Sequence, residues 1–301
     1  MLRIIQKRRI FFSLSGLSVL AAILALTLWG LNLGIDFTGG SLLELSFVNQ
    51  RPSVQELGDI LDQSDLGIEE IKIQPSGDHE LILRTRTLSE DEHQQLLAAL
   101  REKFGAEEII ENRFESIGPI IGQELKDKAV VAIIIALIVI VLYIAYTFRK
   151  VSKPVASWKY GVSAIIALTH DILIVTGVFA ALGYFMNVEV GILFVTALLT
   201  VLGYSVNDTI VVFDRVRENL IYRPSETFVE TVNQSVNETI MRSINTSFTT
   251  LLVLFSLYFL GGATIREFVL VLILGAIVGT YSSIFIASPL LVVWQKFSRR
   301  K

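Results

Sequence analysis

The first chemical signal in the sequence is a carboxylate where a bilayer would be. From Gly203 to Asn219 the chain reads Gly-Tyr-Ser-Val-Asn-Asp-Thr-Ile-Val-Val-Phe-Asp-Arg-Val-Arg-Glu-Asn, placing Asn207 and Asp208 within a stretch apolar enough to span a membrane. An ionised carboxylate near a helix centre costs at least about 2.5 kcal/mol on insertion scales, so it persists where a partner or a water path compensates it. Two further sets accompany it: His170 and Asp171 in the middle of another apolar segment, and Arg242 at the start of a third. The chemistry that such residues can carry is proton transfer. Burial favours the neutral acid and a nearby guanidinium favours the carboxylate, so a movement that changes their separation binds or releases a proton. One charge crossing 100 mV is worth about 2.3 kcal/mol, enough to help bias a conformational equilibrium of a few kcal/mol. The alternative is that these groups only pin helices together. Intramembrane hydrogen bonds average about 0.6 kcal/mol, which offsets poorly the insertion of two carboxylates; for Asp171, His170 can satisfy the charge in a static core.

The elements that must position these groups are helices. On the fourth apolar segment Thr196, Thr200, Gly203 and Asn207 share one face, while Ser205, Asp208 and Arg215 form a stripe about 100° away. On the fifth, Arg242, Asn245, Thr249 and Ser256 form a polar track. On the third, Ser163, His170 and Gly177 repeat every seven residues. Gly30-x-x-x-Gly34 and Gly275-x-x-x-Gly279 read as close helix contacts. Gly118-Pro-Ile-Ile-Gly122 reads as a hinge or a plain turn.

Six apolar runs are present: 10–31, 129–148, 160–182, 190–213, 246–260 and 268–294, in a chain of 301 residues that is 52% hydrophobic and 18% charged. That balance defines a polytopic α-helical membrane protein and excludes a soluble enzyme. The first run is as long as a full span and ends without a small-x-small site, which predicts an uncleaved anchor. Basic residues then set the orientation. Arg3, Lys7, Arg8 and Arg9 precede the first span; Arg149, Lys150, Lys153 and Lys159 follow the second; Arg215, Arg217, Arg223 and Arg242 lie between the fourth and fifth; Lys296, Arg299, Arg300 and Lys301 end the chain. Alternate loops carry almost none, so both termini are expected in the cytoplasm. With no cysteine, disulfides, thiolate metal sites and a cysteine nucleophile are excluded. No phosphate loop, metal-ligand cluster or catalytic triad appears, and nothing points to nucleic acid or to a cofactor.

The sequence divides into 1–35 with the first span, an extracytoplasmic domain over 36–128, and a membrane bundle over 129–301. In the second of these, Leu42 to Phe47 alternates as a strand, Ser53 to Leu61 has helical spacing, and Glu70 to Gln74 and Glu80 to Arg86 pair across a Pro75-Ser-Gly-Asp78 turn. Ser89 to Glu92 is a capping box that opens a helix stopped by Gly105, and Glu108 to Ile117 is a last strand. The order βαββαβ predicts a ferredoxin-like unit. His79 and His93 are expected to be solvated there. Phe228, Val232, Val236 and Ile240, with Glu226, Glu230, Asn233 and Asn237 between them, predict a short amphipathic helix near 225–241 lying on the cytoplasmic face.

Several motifs together resemble the SecF branch of the SecD/SecF family, within the RND superfamily. They are Gly34-Ile-Asp36-Phe-Thr-Gly39-Gly40, Gly118-Pro119-x-x-Gly122-x-Glu-Leu125, His170-Asp171, the Gly203 to Asn219 stretch with Asp214 and Arg215, and Arg242 within Met-Arg-Ser-Ile-Asn-Thr-Ser247. The resemblance covers essentially the whole chain. It implies a half-transporter bundle paired with a separate SecD chain, acting beside the SecYEG channel after the ATP-driven step of SecA. It also implies inward proton flow, protons being the coupling ion, that moves the outer domains to draw a preprotein across a bacterial plasma membrane, or also a thylakoid membrane in a photosynthetic bacterium. Asp208 would carry the proton, Arg242 would modulate it, and Asp171, His170 and Asn207 would support the path. A proton-coupled exporter of small molecules or lipids, and a passive assembly subunit, are the alternative readings.

Overall fold

The computed structural model describes residues 2–63, 71–105, 107–148, 155–222 and 227–298. Six helices are long and apolar enough to cross a membrane. A span needs roughly 20 residues at 1.5 Å each, and all six reach that. They are α1 (Arg8–Leu28), α5 (Pro119–Thr147), α6 (Ser157–Met186), α7 (Ile192–Tyr222), α8 (Phe228–Leu260) and the sixth, in which α9 (Ala263–Ser282) runs through a π-helical turn (Ser283–Ala287) into α10 (Ser288–Ser298). Arg149, Lys150, Lys153, Arg223, Glu226, Arg299, Arg300, Lys301 and Glu70 of the sequence expectations lie outside the described residues. The chain falls into two units, Met1–Asn32 with Val131–Lys301, and Leu33–Val130.

In the smaller unit a short helix α2 (Ile35–Thr38) leads into β1 (Gly40–Phe47), α3 (Val54–Gln63), β2 (Lys72–Ser76), β3 (Glu80–Thr85), α4 (Glu90–Phe104) and β4 (Ile109–Ile117). The four antiparallel strands lie in the order β2-β3-β1-β4, so each βαβ crossover leaves room for one strand between its members. This is the ferredoxin-like arrangement expected. Leu43, Leu45 and Phe47 alternate inward from β1 and meet Leu81, Leu83, Leu96, Leu97 and Leu100. The turn is shorter than the sequence suggests. Pro75 and Ser76 belong to β2, Ser76 pairing with Glu80; an edge strand tolerates a proline because its outer N–H is not required by a neighbour.

The capping box forms: Ser89 Oγ accepts from Glu92 N and the Glu92 carboxylate accepts from Ser89 N. Arg86 Nη2 donates to Glu92 at 2.5 Å, and this bond, with the cap, holds the Glu92 carboxyl down at about 2. His93, expected in solvent, is buried at 3% exposure with its ring stacked 3.7 Å from that of Phe114. The reason is its place on α4: three residues before Leu96 and four before Leu97, it shares their core-facing side.

The glycine motifs interlock within this unit. Gly39 and Gly40 both have positive φ, 76° and 123°. A Cβ on Gly39 would lie 2.8 Å from Pro119 Cα, one on Gly40 2.7 Å from Thr85 O, and one on Gly122 3.0 Å from Gly39 N. Gly118 is the single residue between β4, which ends at Ile117, and α5, which begins at Pro119, and the backbones of the two motifs close on each other. Proline is suited to that first helical position because it has no N–H to satisfy.

In the membrane unit α9 lies against α7, where a Cβ on Gly275 would fall 2.1 Å from Val201 and one on Gly279 2.9 Å from Ser205. Gly177 of α6 meets Ala22 of α1 in the same way, at 2.5 Å. Gly30 does not: α1 ends at Leu28 and nothing lies within 4 Å of a Cβ there, so Gly30-x-x-x-Gly34 is a helix exit and not a packing face.

The expected surface helix near 225–241 is instead the first half of α8, which runs unbroken for 33 residues from a Thr227/Glu230 capping box. Its apolar stripe is covered by protein. Phe228, Val232 and Val236 pack with Val212, Phe213 and Val216 of α7 and with Ile4 and Ile5 ahead of α1. Two asparagines complete that seat: Asn233 Oδ1 accepts from Ile5 N, Asn237 Oδ1 accepts from Leu2 N, and both amides donate to Leu2 O.

Candidate functional site

Two buried carboxylates lie among α6, α7, α8 and α9, with different surroundings. Asp171 is fully buried. Its Oδ1 lies 3.0 Å from His170 Nδ1, and its Oδ2 accepts from Ser205 Oγ at 2.6 Å and from Ser282 Oγ at 2.8 Å. Three donors from α6, α7 and the end of α9 thus meet on one side chain. Ser283, next along, shares a hydrogen bond with Thr209 at 2.8 Å and donates to Ser205 O. The π-helical turn begins here, and Ser288 Oγ reaches five residues back to Ser283 O. Single π-helical turns inside α-helices are frequent at functional sites. His170 lies beside Tyr281, whose hydroxyl shares a hydrogen bond with Ser15 and donates to Phe11 O of α1.

Asp208 has far less support. It is 8% exposed; Oδ1 accepts from Ser243 Oγ at 2.9 Å, and Oδ2 is buried without a partner among the described residues. Arg242 is exposed, and among the described residues no ion pair joins it to Asp208, although it is near enough to act through space. The partner expected from sequence is thus displaced by the next residue. Helical geometry explains the exchange: consecutive residues differ by about 100°, so only one of Arg242 and Ser243 can face α7. The buried side of α8 carries Ser243 and Ser247, and Ser247 meets Tyr204 of α7 and Thr280 of α9. The Arg242, Asn245, Thr249 and Ser256 track is the exposed side, where Thr249 and Ser256 hydroxyls donate to their own helix. On α7 likewise, Thr196, Thr200, Gly203 and Asn207 are exposed, while Ser205 and Asp208 face inward.

Below the carboxylates, Arg215 joins the two helices through Glu238 at 2.5 Å and holds Glu218 at 2.6 Å. Asn219 donates to Ser235 and Glu238. Asp214 points the other way, to Arg217. Gly34, Asp36, Gly39, Gly40, Gly118, Pro119 and Gly122 belong to the smaller unit, apart from the carboxylates. Ser205 was expected on the stripe with Asp208, whereas Ser243, Ser282 and Ser283 were not singled out by sequence. The signal for one of them was present, since Thr231, Ser235, Thr239, Ser243 and Ser247 recur every four residues along α8.

The fold and this buried polar centre define a six-span membrane protein with one ferredoxin-like domain, of the RND type. The model of the protein export membrane protein SecD/SecF C-terminal region matches residues 97–297, and the SecD/SecF GG motif matches residues 30–50. The chain belongs to the SecD/SecF family. It is 43% identical to "Protein translocase subunit SecF" of Thermobaculum terrenum, over 98% of this chain and 94% of that one, and 39% identical to the protein of the same description from Anaerolinea thermophila, again over 98% and 94%. A crystal structure of SecDF from Thermus thermophilus, described as a translocon-associated membrane protein, superposes with a TM-score of 0.82 at 35% identity. That match covers 97% of this chain and 38% of the SecDF chain, so the present chain spans about two fifths of it.

Proposed function

We propose that this protein is a subunit of the Sec protein translocase that works with a SecD chain and uses the proton motive force in late steps of preprotein export through SecYEG, after the step driven by SecA. The observation that carries the proton part is the buried Asp208, whose second oxygen has no donor. An uncompensated carboxylate oxygen at that depth is costly as an ion and open to a proton. In this reading Asp208 takes the proton, Arg242 modulates it from the exposed side, and Asp171, His170 and Asn207 shape the surroundings. The exposed Thr196, Thr200, Gly203 and Asn207 face suits a second bundle, which the SecDF relative, with its longer chain, supports. The Leu33–Val130 unit is then extracytoplasmic, as the lysine and arginine pattern requires, in a bacterial plasma membrane with both termini inside. Protons serve as the coupling ion and no other cofactor is invoked.

The experiment is translocation of a reporter preprotein into inverted membrane vesicles of a strain whose sole copy carries Asp208→Asn. The expected result is loss of the stimulation by membrane potential with ATP-dependent export retained. Full stimulation in the variant would leave a passive assembly subunit as the reading.

A further inference from the structure

Hydroxyls inside helices usually donate to the carbonyl four residues earlier. On α8 that rule is followed by Thr231, Ser235 and Thr239, which donate to Thr227 O, Thr231 O and Ser235 O, and again by Thr246, Thr249, Thr250 and Ser256. Ser243 belongs to the same stripe and is fully buried, yet its hydroxyl turns away from Thr239 O and donates to Asp208 Oδ1. Ser247, next in the stripe, also departs, toward Thr280, but the departure of Ser243 is the one that ends on a carboxylate, whose other oxygen has no partner among the described residues.

We propose that Ser243 is a positioning residue with two settings, its hydroxyl directed to Asp208 Oδ1 when the carboxylate is charged and to Thr239 O when Asp208 is protonated. This rests on the reading of Asp208 as the proton carrier. A hydronium ion delivers its proton to Oδ2, the oxygen with no donor, and leaves as water; Oδ1 becomes a carbonyl oxygen and a weaker acceptor. The Ser243 O–H bond is kept throughout and only its direction changes, to the kind of backbone acceptor that Thr231, Ser235 and Thr239 already use. A guanidinium cannot do this, having five donors and no adaptable hydroxyl. Arg242, the neighbouring charged group on α8, lies on the exposed side of that helix and makes no ion pair with Asp208 among the described residues. Ser243 therefore links the charge of Asp208 to the local hydrogen bonding of α8.

The chain has no cysteine, so Ser243→Cys introduces the sole thiol, whose S–H stretch stands alone in the infrared spectrum. The full chain in lipid nanodiscs is compared at acidic and alkaline pH. The expected result is an S–H band that moves to higher frequency on acidification, as the thiol leaves a carboxylate for an amide carbonyl, and that loses this pH response in Ser243→Cys/Asp208→Asn. As a second variant, Ser243→Ala should leave the carboxylic-acid band of Asp208 at its wild-type frequency, because the hydroxyl has already turned away in that state. A pH-independent S–H band, or a shifted carboxylic-acid band in Ser243→Ala, overturns the proposal while Asp208 protonation stands. Absence of any carboxylic-acid band removed by Asp208→Asn overturns the proton-carrier reading itself.

Discussion

Asp171 and Asp208 are the same residue type in neighbouring helices, and the structure gives them opposite surroundings. Asp171 is met by donors from three sources and has no exposure, whereas Asp208 is met by one hydroxyl and keeps an open oxygen. The difference teaches that burial alone does not mark an exchangeable carboxylate. A carboxylate whose acceptor sites are occupied holds helices together, and removing it orphans every donor around it. A carboxylate with a vacant acceptor site can change protonation state without breaking what surrounds it.

The strongest break of this comparison is a pair of variants. Asp171→Leu leaves His170 and Ser205 without their acceptor, and Ser282 with Gly279 O alone, and is expected to destabilise the bundle by about 3 kcal/mol or more. Asp208→Asn keeps an acceptor for Ser243 and is expected to cost under about 1 kcal/mol. Unfolding in mixed detergent micelles, followed by circular dichroism, checks both; equal losses would erase the distinction. A second test moves from polar to packing contacts. Gly275→Ala places a methyl 2.1 Å from Val201 and is expected to cost about 1–3 kcal/mol, whereas Gly203→Ala enters open space and should be neutral or slightly stabilising. The same unfolding assay decides it. Ser282→Ala should cost about 1 kcal/mol, and a double-mutant cycle with Ser205→Ala should show coupling, since both hydroxyls serve Asp171 Oδ2.

The smallest effect lies in the other unit. The Glu92 carboxyl is held at about 2 in the folded state, below its usual value near 4.5, so its contribution is fully present above the unfolded value and is lost as pH falls through the folded one. The protection factors of the first-turn amides of α4, with the intrinsic pH dependence of exchange divided out, should therefore fall between about pH 4.5 and 2 in the wild type and stay level over that window in Glu92→Gln. Because this glutamate lies at the surface and is partly exposed, the effect should stay local.

Much of this was legible in the sequence for identifiable reasons. The six spans follow from length and apolarity, and the βαββαβ order follows from alternating periods and a capping box that forms as its residues specify. Asp208 and Asp171 stand out because charge is rare in such segments. Sequence could not choose between the two polar faces of α8, since a stripe with Arg242 and a stripe with Ser243 both have helical spacing; only the packing of α7 and α9 decides which is inside. It also mistook the first half of α8 for a surface helix. An amphipathic pattern states that one side will be covered, and here the cover is another stretch of the same chain, far away in sequence. His93 failed for a related reason: a histidine among charged neighbours reads as wet until its helix is seen to turn it onto Phe114.

The seat of Leu2 and Ile5 on Asn233 and Asn237 has a consequence for how the molecule is made. These bonds join positions separated by 228 and more residues. Residues 2–5 must wait until the start of α8 has been made before their groove exists. Closure of that end of the bundle thus follows the synthesis of everything that lies between them in the chain.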